Sequence, residues 1–177
     1  MFKLSRAMRA IDDALVNQGV GPTPNWNTPV TYEPDLIAEL IGQYEELNAQ
    51  FTALSRQLDS DPAFVERAVL ECADRLHKLR HVEALKLYPV ISHALSGDPI
   101  ARRLFWQSRL VTLGLARRAL RRFDELARAV RNRNEIGIAA EHVVNALAEY
   151  RRRNESAMFP LYTAVGRRGE ARKAKIA

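Results

Sequence analysis

Four long stretches of this sequence place apolar residues alternately three and four positions apart, and that spacing constrains the fold more than any other feature. Ile37, Leu40, Tyr44, Leu47, Phe51, Leu54 and Leu58 alternate without a break. Val65, Val69, Cys72, Leu76 and Leu79 follow the same rhythm, and the next step falls on a carboxylate, Glu83. The third set is Phe105, Ser108, Thr112, Leu115, Ala119, Phe123, Leu126 and Val130, and the fourth is Ile136, Ala140, Val143, Leu147, Tyr150 and Asn154. A helix turns once in about 3.6 residues, so each set lies on one helical face. Asp59-Ser60-Asp61-Pro62, Gly97-Asp98-Pro99 and the pair Asn132 and Asn134 separate the four stretches. Long helices joined by short connections predict an all-α, up-down-up-down four-helix bundle.

Two of these helices run into an aromatic-proline pair. LRHVEALKLYP spans Leu79–Pro89 and YRRRNESAMFP spans Tyr150–Pro160, so Tyr88-Pro89 and Phe159-Pro160 occupy matching places. Proline lacks the N–H that the next turn needs, and both helices are therefore expected to kink or end there. The polar members of the stripes, Tyr44, Glu83, Ser108, Thr112, Tyr150 and Asn154, then fall at similar depth in the bundle. A carboxylate at such a position requires hydrogen-bond partners or a metal.

Three segments are expected: residues 1–34, an amphipathic N-terminal segment with a proline-rich connector; 35–165, the bundle; and 166–177, a basic tail. The first contains Leu4, Met8, Ile11 and Leu15 at helical spacing, followed by GVGPTPNWNTPVTYEP, in which Trp26 and Tyr32 are candidates to pin the connector to the bundle. The tail, GRRGEARKAKIA, is poor in apolar residues and reads as frayed. No run of about eighteen apolar residues suggests a membrane span. The N-terminus has no continuous apolar block or small-residue cleavage site, so no secretory leader is expected and the expected location is cytoplasmic. A single cysteine, Cys72, excludes an intrachain disulfide and a cysteine-based zinc site.

The twin endings and the carboxylate resemble the hemerythrin-like family of HHE cation-binding bundles. In that family the second and fourth helices end in a pattern like H-x-x-x-E-(E)-x-x-[LI]-[FY]-P, the other two helices add histidines, and the ligands hold two irons. The resemblance covers roughly residues 35–165. Counted back from Pro89, the family's histidine position is Leu79 and its carboxylate is Glu83. Counted back from Pro160, the histidine position is Tyr150 and the acid positions are Asn154 and Glu155. Tyr44 in GQYEEL stands for the first-helix histidine, and Ser108, with Thr112, for those of the third. The resemblance thus implies a hemerythrin-like bundle whose ligand histidines are gone, with no diiron centre and no cofactor. Imidazole and carboxylate suit non-haem iron; tyrosines and hydroxyls around one or two carboxylates do not.

Of the four histidines, His77 and His81 are one turn apart but flank the core stripe or lie away from it, and His93 and His142 have no ligand partner at helical spacing. Glu83 is expected to hydrogen-bond Tyr44 or Tyr150 or to pair with an arginine; the alternative is a remodelled site for iron or another divalent metal using Glu83, Glu155 and His77. Charge is unevenly spread: residues 1–100 hold 9 Lys/Arg against 14 Asp/Glu, and residues 101–177 hold 18 against 7. Arg117, Arg118, Arg121 and Arg122 with Arg151, Arg152 and Arg153 form a basic face for a protein or other anionic partner. Nothing aromatic interleaves with them, so sequence-specific DNA reading is not expected. No Ser-His-Asp or Cys-His set and no phosphate loop is present, so no enzyme activity is expected. The expected function is a non-enzymatic regulatory or interaction protein. Its alternative is a metal-binding sensor of oxygen, nitric oxide or iron.

Overall fold

A computed structural model describes residues 30–174, with side chains through Arg167. Among these residues every regular element is helical: α1 (Leu36–Ser55), α2 (Pro62–Val82), a π turn (Glu83–Leu87), α3 (Tyr88–Ala94), α4 (Pro99–Asn132), α5 (Ile136–Arg153), a second π turn (Asn154–Met158) and α6 (Phe159–Ala174). The π turns join α2 to α3 and α5 to α6 end to end, so the eight elements make four rods. Consecutive rods pack together, and α1 closes the ring against α5.

The stripes become the core. Leu40, Tyr44, Leu47, Phe51 and Leu54 of α1 are buried, as are all six members of the second set, including Glu83. In the third set Thr112, Phe123, Leu126 and Val130 are buried, while Ala116 takes the inward place beside half-buried Leu115. Phe51 and Phe123 meet edge-on across the bundle at 5.6 Å. No described helix is long and apolar enough to cross a membrane.

Local chemistry sets the rod ends. Asp61 accepts a hydrogen bond from the Phe64 N–H at 3.1 Å, and Asp98 accepts from the Ile100 and Ala101 N–H groups at 3.1 and 2.9 Å. Each is followed by a proline in the first turn, where a missing N–H costs nothing. The α4 terminus differs from the expectation that Asn132 and Asn134 make the turn. Arg133 and Glu135 take the left-handed conformation instead, with φ of 52° and 51°. The Arg133 N–H donates to the Val130 carbonyl and the Asn134 N–H to that of Ala129, a Schellman closure with arginine where glycine is usual.

Of the expectation that Pro89 and Pro160 kink or end their helices, the ending is corrected: helical structure continues past both prolines. Each rod passes through its proline because a π turn comes directly before the aromatic-proline pair. The Tyr88 N–H donates five residues back to the Glu83 carbonyl, and the Phe159 N–H does the same to Asn154. In an unbroken α-helix each proline ring would meet the carbonyl four residues back. The widened turn re-registers the backbone and removes that conflict.

One further expectation is adjusted, and the pinning of the connector by Tyr32 is observed. The tail does not fray at Gly166, because α6 continues to Ala174. Packing begins before residue 35: Tyr32 stacks on Tyr162 at 4.8 Å, and the Tyr162 hydroxyl accepts from the Glu33 N–H at 2.8 Å and donates to the Glu33 carbonyl at 3.0 Å. The Leu4–Leu15 stripe and Trp26 lie outside the described residues.

Candidate functional site

Glu83 is the centre of a closed hydrogen-bond cluster. Its residue is 1% exposed, and both carboxylate oxygens are engaged from three rods. The Tyr44 hydroxyl, from α1, donates to Oε1 at 2.7 Å, and the Asn154 amide, from the second π turn, donates to the same oxygen at 3.1 Å. Oε2 accepts from Tyr88 at 3.1 Å and, by a short bond, from Tyr150. The Asn154 amide also donates to the Tyr44 oxygen at 2.7 Å, which ties the donors to each other. Four donors therefore meet the four lone-pair directions of one carboxylate.

The two π turns build this arrangement as well as accommodating the prolines. Both begin at a cluster residue, Glu83 in one and Asn154 in the other. On an α-helix, residues five apart point about 140° away from each other. The wider π turn brings Tyr88 back under Glu83, so that two residues of one rod share a hydrogen bond.

Burial dominates the electrostatics. It raises the Glu83 carboxyl above its ordinary value, opposed by the hydrogen bonds from Tyr150, Tyr44 and Tyr88 and then by the charge of Arg80. Burial, followed by the nearby Glu83 charge, holds the Tyr44, Tyr88 and Tyr150 phenols well above theirs, so all three remain protonated donors at neutral pH. Arg80 itself is only 9% exposed.

The residues named from sequence divide into two groups. Tyr44, Glu83, Tyr150 and Asn154 converge, and Leu79 is buried one turn before Glu83 as a purely apolar side chain. The others do not join them. Glu155 is exposed and accepts from the Arg151 guanidinium at 2.6 Å, because one residue beyond Asn154 the helix has turned it outward. Thr112 is buried but spends its hydroxyl on the Ser108 carbonyl one turn back, at 3.1 Å. The Ser108 hydroxyl accepts from Arg153 at 2.7 Å, away from the carboxylate. Tyr88 and Arg80 also belong to the site, although in sequence Tyr88 stands out only as half of an aromatic-proline pair.

This donor set does not fit a two-iron centre. Glu83 has no lone pair to offer a metal unless a tyrosine or the amide is displaced, and its hydrogen-bond partners are phenols and an amide, not imidazoles. The trio Glu83, Glu155 and His77 is not brought together: among the described residues, no three His, Cys, Asp or Glu side chains converge. Asn154 retains one unpartnered atom, its buried Oδ1.

On its α2–α4 side the cluster borders a cavity of about 550 Å³. Tyr88, Tyr150 and Glu83 border it from the cluster, Val82, Ala84, Leu113 and Ala116 supply apolar wall, and His77 and His81 are in its lining. Arg80 and Arg109 also line it. The Arg109 guanidinium carbon lies 5.0 Å from the Tyr88 ring centre and 4.6 Å from that of Trp106.

The basic face is largely compensated from within. Arg118 pairs with Glu149 at 3.1 Å, Arg121 and Arg122 with Glu125 at 3.9 and 2.5 Å, and Arg151 with Glu45 at 3.5 Å as well as with Glu155. Arg153 turns toward Ser108, Arg117 is exposed, and Arg152 is exposed. The seven arginines therefore do not form one open cationic patch. Compared with known proteins, the chain matches no family model, no curated protein and no solved structure.

Proposed function

We propose that this chain is a non-enzymatic regulatory or interaction protein, built on a hemerythrin-like bundle in which a hydrogen-bonded tyrosine–carboxylate cluster has replaced the metal pair. The observation that carries this reading is the saturation of Glu83 by four protein donors, with Leu79, Tyr44 and Tyr150 at positions where the resembled family has histidines. A carboxylate so engaged is a structural acceptor and has no free lone pair for a Lewis acid. The chain's role then lies at its surface and in the cavity beside the cluster. An acidic partner docking on the arginine face would exchange existing exposed ion pairs, so its binding would be weak and would fall steeply with salt.

Elemental analysis of protein purified without a metal-affinity tag tests the reading. The expected result is no stoichiometric transition metal and no absorption band that responds to azide or oxygen. Stoichiometric iron that is released by Glu83→Ala would overturn it.

A further inference from the structure

The cavity between α2 and α4 is lined by an arginine, Arg109, that forms no ion pair with any described carboxylate. Lys78 at its edge is matched by Asp74 at 2.7 Å, and the buried Arg80 faces the Glu83 charge. Arg109 is half-buried, and among the described residues no carboxylate pairs with it; two aromatic faces are its neighbours. Such faces stabilise a cation but leave the in-plane N–H groups of the guanidinium without an acceptor. Glu83 cannot serve, because its oxygens are already occupied by the tyrosines and the amide. Beside this guanidinium lies an apolar-walled space of about 550 Å³, within the range of small-molecule pockets.

We infer that this cavity binds a small organic monocarboxylate: the carboxylate accepts the two parallel N–H bonds of Arg109, and the apolar body of the acid lies against Leu113, Ala116 and Ala84. A planar carboxylate matches the guanidinium fork, and these charge-assisted bonds are roughly twice as strong as neutral ones. One guanidinium fork beside an apolar wall favours a singly charged group on an apolar body over a phosphate monoester carrying nearly two charges. Small Ala84 and Ala116 side chains leave the room; the tyrosine hydroxyl oxygens at the inner end can accept a donor from the ligand. This inference deepens the binding role proposed above and names its ligand class.

The test is calorimetric titration of the full-length protein with phenylacetate (an aromatic acid), octanoate (an aliphatic one), phenylacetamide as the neutral isostere, and inorganic phosphate. Saturable binding of phenylacetate or octanoate is expected, and whichever binds more tightly identifies the body the pocket prefers. Loss of the charge, in phenylacetamide or in Arg109→Gln, should weaken binding about tenfold or more. Leu113→Trp, which fills the space, should abolish it with the helical signal intact. The Trp106 indole N–H resonance of the unmutated protein should shift during the titration, a readout independent of whether either variant folds. The inference fails if neither acid saturates into the millimolar range, if phosphate binds as tightly as the acids, if Arg109→Gln folds and binds as well as the unmutated chain, or if the indole resonance stays fixed. Metal content measured on the same sample decides the reading of the bundle centre separately.

Discussion

Removing the Glu83 carboxylate is the perturbation whose cost the structure specifies most closely. In Glu83→Ala the hydroxyls of Tyr44, Tyr88 and Tyr150 lose their acceptor, while Asn154 keeps the Tyr44 oxygen at 2.7 Å. Each buried donor left unsatisfied costs about 1–3 kcal/mol, so three sum to roughly 3–9 kcal/mol without relaxation. Water entering from the adjacent cavity and rotation of the hydroxyls reduce this, and the expected loss is about 3–5 kcal/mol. A domain of this size has about 5–15 kcal/mol in all, so the variant should lie near the edge of folding. Glu83→Gln keeps the shape and two acceptor sites but points an amide at hydroxyls that need an acceptor, and should cost about 1–3 kcal/mol.

The comparison with glutamine also carries a pH dependence of definite sign. Burial raises the Glu83 carboxyl in the folded state, so the fold holds this proton more tightly than the unfolded chain does. The associated stability is fully present below the unfolded carboxyl value of about 4.3 and is lost as pH rises through the folded value. Glutamine has no such proton. The stability gap between the unmutated protein and Glu83→Gln should therefore narrow as pH rises above the unfolded carboxyl value, by about 1.4 kcal/mol for each tenfold difference in proton affinity. Urea unfolding followed by circular dichroism at several pH values measures both quantities. A cost below about 1 kcal/mol for Glu83→Ala would refute the cluster as a buried, satisfied network. A gap that widens with pH would show that the tyrosine donors and Arg80 outweigh burial.

Three other perturbations have defined outcomes. Arg133→Gly should stabilise the protein by about 1 kcal/mol in chemical denaturation, because it relieves a left-handed φ of 52° at the α4 terminus. In Gly166→Ala the new Cβ would lie 2.1 Å from the Tyr32 ring, so the ring must leave Tyr162; the loss of that stack should cost about 0.5–1.5 kcal/mol and speed proteolysis ahead of α1. Burial pushes the Cys72 thiol up to about 11, and a thiol reagent applied near neutral pH should label it only as fast as the bundle opens; rapid labelling of the native protein would contradict its packing.

The members of the cluster that were legible in the sequence are those lying on an apolar stripe. Tyr44, Glu83, Tyr150 and Asn154 each occupy a position where the 3–4 alternation calls for an inward residue, so their burial follows from helical periodicity. Glu155 lies at an acid position of the resembled family's motif, but helical phase turns it to solvent and to Arg151. Tyr88 is not legible for the converse reason: α-helical steps place it about 140° from Glu83, and only the π turn brings it under the carboxylate. The arginines of α4 and α5 cluster in sequence, yet Glu45, Glu125 and Glu149, from other turns or other rods, balance most of them.

The sequence by itself determined the four rods, the faces they bury and the depth at which polar residues interrupt the core, because periodicity and capping are local properties of the chain. Only the tertiary structure decided that the prolines sit within continuous rods, that four donors from three rods saturate one carboxylate, and that a cavity lined by Arg109 lies beside them. Those outcomes depend on how widened turns re-register a helix and on which side chains meet across the bundle. Distances between residues far apart in the chain set them, and no spacing along the sequence encodes those distances.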